Sequence, residues 1–147
     1  MIVYRITTEQ WSKSLQASGN PARWNAKGQF VIYTAGSRSL ACLENLVHRS
    51  GEWQGKMYKV MLIEFPDKIK IDTIEEASLK NNWQQFNNFS YCQSMANKWL
   101  TEATAVILRV PSVIIKKEYN YLINPQHRDF KLIKLIGIEG FNFDERS

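Results

Sequence analysis

Residues 104–138 read TAVILRVPSVIIKKEYNYLINPQHRDFKLIKLIGI, and this stretch decides the fold class. Apolar and β-branched residues concentrate in four short runs, Thr104–Val110, Val113–Lys116, Tyr121–Ile123 and Lys131–Ile138. Pro111, the group Glu118-Tyr119-Asn120 and the pair Asn124-Pro125 separate them. Short apolar runs bounded by turn residues predict strands. No crossover helix fits between them, so a β-rich C-terminal third is expected.

Working outward, Asp72 to Trp99 is rich in Asn and Gln and reads as mostly helical. Tyr58–Phe65 is a strand stopped by Pro66. Ser37-Arg38-Ser39 supplies an N-cap for a helix from about Leu40 to Arg49, closed by Ser50-Gly51. Phe30–Tyr33 reads as a buried strand and Met1–Arg5 as a short one. Between them, Thr7-Thr8-Glu9-Gln10 opens a helix through Trp11 and Leu15 that Gly19-Asn20-Pro21 ends. Helices early and strands late, without a βαβ rhythm, give an α+β protein with mixed or antiparallel sheets and helices packed around them.

At 147 residues the chain has the length of one domain, and no Gly/Ser/Pro-rich linker divides it, so one unit over 1–147 is expected. Apolar residues at 44% and charged residues at 22% exclude intrinsic disorder. No apolar run exceeds four residues, far below the about 20 that a spanning helix needs, so no membrane association is expected. Arg5 interrupts the first apolar run too early for a secretory leader. Cys42 and Cys92 stand alone, without metal-ligand spacing, which points to a reducing cytoplasm and to no metal. The net charge of +5 favours contact with an anion without naming it. Five tryptophans and six tyrosines raise a nucleic-acid-binding module as a rival, but they are not interleaved with a basic stripe.

Several residues carry potential chemistry. On the helix after Ser39, the period places Leu40, Leu43, Leu46 and Val47 on one apolar face with Glu44 at its flank. His48 follows Glu44 by four positions and projects from the same side. By period alone Glu44 is a solvated helix-edge glutamate. Arg23, on a short loop beside Trp24, suits a bidentate grip on phosphate, or equally packs on Trp24. Tyr33 at a strand end either stacks on a planar ligand or is core with a wet hydroxyl. Ser112 caps a turn or serves a site, with no GxSxG elbow around it. Asn120 and the Asn124-Pro125-Gln126-His127 turn read as local backbone-bonding elements, His127 being a weak acid–base candidate. Neither GxGxxG nor GxxxxGK[ST] occurs.

Taken in order, Arg23-Trp24-Asn25, Gly28, Tyr33, Leu40-Ala41-Cys42-Leu43-Glu44, Trp99-Leu100, Val110-Pro111-Ser112, Asn120-Tyr121-Leu122-Ile123-Asn124-Pro125-x-His127 and Phe141-x-Phe143-Asp144-x-Arg146 resemble the RES domain over nearly the whole chain. Ala96 departs from the glycine expected there. The family's Arg, Glu and Ser match Arg23, Glu44 and Ser112. The resemblance implies an ADP-ribosyltransferase-like fold and the toxin half of a bacterial type II toxin–antitoxin pair. It further implies an enzyme that consumes NAD⁺ by cleaving the nicotinamide–ribose bond, through hydrolysis or phosphorolysis, while some members instead transfer ADP-ribose to a protein. Glu44 and Ser112 would be catalytic, with Arg23, Tyr33, Asn120 and His48 binding NAD⁺ and no metal required. The implied partner is an Xre-type helix-turn-helix antitoxin that covers the active site in a multimeric complex, with DNA contacted only through that antitoxin.

Overall fold

The computed structural model describes residues 1–49 and 57–142, and the side chains of all of these except residues 47–49. The elements are strands β1 (Ile2–Thr8), β2 (Ile32–Ala35), β3 (Tyr58–Glu64), β4 (Ile71–Thr73), β5 (Ile107–Pro111), β6 (Tyr119–Ile123) and β7 (Lys134–Phe141), with helices α1 (Arg38–Arg49) and α2 (Phe89–Glu102). The strands form one sheet in the order β4-β5-β6-β2-β1-β3-β7. Its pairings are antiparallel except for β4 with β5, which are parallel. The expected α+β class with a mixed sheet holds.

Alternation along the strands sorts apolar side chains onto two faces. On one face Leu108, Val110 and Leu122 meet Trp83, Cys92, Ala96 and Trp99 beneath α2. Further along the same face, Ile6, Ala35 and Val60 meet Leu40 and Ala41 of α1. Val3, Ile32, Met61, Ile63, Ile107 and Ile123 point the other way and pack with Phe65 and Ile133. Burial of each such side chain stabilises the fold by about 1.5–3 kcal/mol. Two separated helices on one face leave a gap over the middle of the sheet, and this gap positions the site.

Several local readings change. Thr7 and Thr8 complete β1, opposite Lys59 and Tyr58, so only a three-residue 3₁₀ turn, Glu9–Trp11, follows in place of a helix. In the 72–99 region the helix begins only at Phe89, after β4 and 3₁₀ turns at Glu76–Ser78 and Phe86–Asn88. There Asn82 holds φ +63°, and Ser78 Oγ and Asn88 Nδ2 donate to the carbonyls of Glu75 and Asn82. Short polar side chains thus outcompete the helix ladder. Val113–Lys116 is a turn, because Ser112 Oγ accepts from the Ile114 and Ile115 N–H groups at 3.0 and 3.1 Å. Strands therefore run through the whole sequence instead of gathering at its end.

The face of α1 is also rotated from expectation. Leu40 is buried, but Leu43 and Leu46 are 37% and 36% exposed. The inward stripe is Leu40, Ala41 and Asn45, with Glu44 half-buried beside them. Asn45 Nδ2 donates to the Ile6 carbonyl at 2.7 Å, fastening the helix to β1 through a polar side chain that apolar periodicity ignores. Ser37 Oγ accepts from the Leu40 N–H at 3.1 Å, the expected N-cap.

Candidate active site

β1 and β2 are registered at a single pair, Tyr4 with Ala35. Where they part, a cleft of about 660 Å³ opens, within the size range of small-molecule sites. The loop before β2, β2 itself, α1, β6 and the start of α2 all line it. Among the described residues its charged lining is Arg5, Arg23 and Glu44.

Glu44 comes from the inner edge of α1. Its Oε1 accepts from Ser112 Oγ at 3.0 Å and from Asn120 Nδ2 at 2.8 Å. Ser112 follows β5 and Asn120 lies on the neighbouring strand β6, opposite Ala35 of β2. Glu44 thus meets two residues that lie 68 and 76 positions further along the chain. Asn45 Oδ1 and Asn120 Oδ1, beside this cluster, are buried with no hydrogen-bond partner among the described residues. Each costs about 1–3 kcal/mol that packing alone does not explain. Ser112 caps the turn, as one of its two readings expected, and also bonds Glu44.

Arg23 is 9% exposed and lines the same cleft. Its Nη1 donates to the Trp83 carbonyl at 2.9 Å and its Nη2 to the Gln84 carbonyl at 2.7 Å. The guanidinium lies 4.5 Å from the Phe89 ring centroid and 5.9 Å from that of Trp83. Arg23 therefore packs on these two rings, and not on Trp24, whose ring meets that of Trp83 at 5.8 Å, tilted by 42°. Cys92 Sγ sits 3.8 Å from Nη1, and burial pushes its thiol up against the lowering effect of the guanidinium.

Tyr33 joins the two ends. Its hydroxyl donates to Asn25 Oδ1 at 2.7 Å and accepts from the Trp24 N–H at 3.0 Å, so it is held, not wet. Burial pushes its phenol well above the ordinary 10.0, which keeps it neutral. Arg5 Nη1 donates to the Tyr33 carbonyl at 3.0 Å, bridging the strands where their ladder lapses.

Of the sequence-derived candidates, Glu44, Ser112 and Asn120 form one hydrogen-bonded cluster, and Glu44, Asn120, Arg23 and Tyr33 line the cleft. His48 lies in the last turn of α1, and its side chain is outside the described residues, as are Phe143, Asp144 and Arg146. His127 does not line the cleft: Nδ1 accepts from the Asp129 N–H and Nε2 bonds the Ala103 carbonyl, tying α2 to the turn after β6. Sequence reasoning missed Arg5 and Asn45. A lone charge inside the apolar run Tyr4-Arg5-Ile6 and an asparagine on an inward stripe were the available signals. Among the described residues no group of three or more His, Cys, Asp or Glu is placed to hold a metal, and no helix is long and apolar enough to cross a membrane.

The chain resembles known proteins throughout. It is 36% identical to a Prs ADP-ribosylating toxin of a Sphingobium species, over 84% of this chain and 78% of that one. It is 30% identical to the Toxin Res of Yersinia enterocolitica over 99% of both chains, and equally to that of Photorhabdus laumondii over 99% and 96%. Among solved structures, the Mycobacterium tuberculosis MbcT–MbcA toxin–antitoxin complex contains a chain with the same fold, at a TM-score of 0.76 and 17% identity, covering 96% of this chain and 84% of that one. A family model for the RES domain matches residues 2–144. The chain belongs to the RES domain family.

Proposed function

We propose that this protein is a toxin of a bacterial toxin–antitoxin pair that uses NAD⁺ as substrate and breaks its nicotinamide–ribose bond. The observation that carries the reading is the convergence of Glu44, held by Ser112 and Asn120, with Arg23 and Arg5 on one cleft. Two guanidiniums complement a pyrophosphate, and a single carboxylate complements a cation. As the glycosidic C–N bond breaks, its electron pair leaves with nicotinamide, which departs neutral, and positive charge moves onto the ribose. An ionised Glu44 attracts that charge more in the transition state than before it, which is the condition for raising the rate. Ser112 and Asn120 fix the carboxylate. Tyr33, being neutral, packs against the nicotinamide end and moves no proton.

The bond to ribose C1′ is completed by an oxygen nucleophile. Water gives ADP-ribose and phosphate gives its phosphorylated form. A protein side chain gives a covalent ADP-ribosyl adduct, the reading favoured by the ADP-ribosylating relative. Incubation with NAD⁺ and detection of released nicotinamide tests the cleavage. Label from the adenylate half distinguishes the acceptors: free ADP-ribose or its phosphate supports degradation, and label on one macromolecule in extract supports transfer. No nicotinamide release under any condition overturns the proposal.

The partner we propose is an Xre-type helix-turn-helix antitoxin that covers the cleft in a multimeric complex in the bacterial cytoplasm, in line with the antitoxin-bound structural neighbour. DNA would be reached only through that antitoxin.

A further inference from the structure

We infer that Phe86 and Phe89 form the platform on which the adenine base of the dinucleotide stacks, an inference that rests on the NAD⁺ reading above. Phe86 is 83% exposed, more than any other large hydrophobic residue among those described. It is not on a loose tip. The carbonyls of Trp83 and Gln84, just before it, are held by the Arg23 guanidinium, and Phe86 itself opens a 3₁₀ turn that runs into α2. Its ring lies 4.9 Å from that of Phe89, tilted by 42°. Both rings line the cleft that holds Glu44. An anchored aromatic ring left open to water at a cleft wall forgoes the burial that the fold gives Phe65, and a ligand with a flat face restores it.

The order of contacts matches the order of groups in NAD⁺. Phe86 touches Phe89, and the Arg23 guanidinium lies over Phe89. The residue after Arg23, Trp24, is bonded to the Tyr33 hydroxyl. Tyr33 stands two positions from Ala35, which pairs with Asn120, and Asn120 holds Glu44. Read outward from Glu44, the cleft offers a carboxylate for the ribose that ionises, an aromatic ring, a guanidinium for pyrophosphate, and then the phenylalanine pair. No Asp, Glu, Lys or Arg occurs between Lys80 and Lys98, so the segment that carries the two rings is itself uncharged and suits a neutral base better than a charged peptide.

The test compares NAD⁺ with nicotinamide mononucleotide, which lacks the adenylate half, on the purified chain. In Phe86→Ala the KM for NAD⁺ should rise about 10-fold, the effect of one lost base–aromatic stack, with kcat within about two-fold of wild type. Phe86→Trp should restore it. Nicotinamide mononucleotide, as substrate or as competitor, should be unaffected by Phe86→Ala, whereas inhibition by AMP should weaken in parallel with NAD⁺. Equal shifts for both nucleotides, or a shift for neither, overturn the inference while leaving the NAD⁺ reading intact. Unchanged NAD⁺ kinetics with weaker neutralisation by an antitoxin would assign the ring to a protein partner instead. Failure of the wild-type chain to consume NAD⁺ at all refutes the parent reading, a result distinct from any seen only in the variant.

Discussion

The two ends of the cleft are built on opposite terms. At one end Glu44 collects donors from Ser112 and Asn120, two side chains from remote parts of the chain. At the other, Arg23 gives both terminal nitrogens to backbone carbonyls of the 83–85 turn and lays its plane over Phe89 and Trp83. The carboxylate is presented; the arginine is also a staple. The difference teaches that residues reached by the same sequence pattern carry different structural duties, and that loss of activity means different things at each.

The largest stability effect is therefore expected at the staple. Arg23→Ala leaves the Trp83 and Gln84 carbonyls without their charged donor, so unfolding in urea should show a loss of about 3 kcal/mol, together with loss of NAD⁺ binding. Arg23→Lys should recover part of the stability but not the bidentate grip, and weaken NAD⁺ saturation. A variant as stable as wild type would remove the contrast between the two ends.

A smaller effect is expected at Ser112. Ser112→Ala frees two turn N–H groups and one donor to Glu44, which should lower kcat about 10-fold and cost about 1–2 kcal/mol in the same unfolding assay. Smaller still is Tyr33→Phe, at about 1 kcal/mol at neutral pH, from the bonds to Asn25 and Trp24. Its signature is the pH dependence. Burial raises the Tyr33 pKa above 10.0, so the phenol makes no pH-dependent contribution below that value. Above about pH 10 the unfolded chain ionises while the folded one does not, and stability falls as pH rises. The Phe variant should show a flatter alkaline arm, and an identical arm would place the phenol in water.

The sequence made the fold class and most strands legible, because alternating apolar runs such as Tyr58–Phe65 record burial directly. It misread 72–88, where Ser78, Asn82 and Asn88 bond the backbone locally and break the helix period. It also misread the α1 face, because the inward stripe includes Asn45 and leaves Leu43 and Leu46 outside. The candidate site was legible through ordered motifs: Glu44 is remote in sequence from Ser112 and Asn120, and no local period predicts its hydrogen bonds to them. Arg5 was hidden within a strand.

The most direct test of the central claim is the rate of nicotinamide release at saturating NAD⁺ by Glu44→Gln, with its unfolding midpoint measured on the same preparation. The expected result is a fall of about 10²–10³ in rate with stability within about 1 kcal/mol of wild type. Wild-type turnover by a folded Glu44→Gln protein would contradict the account.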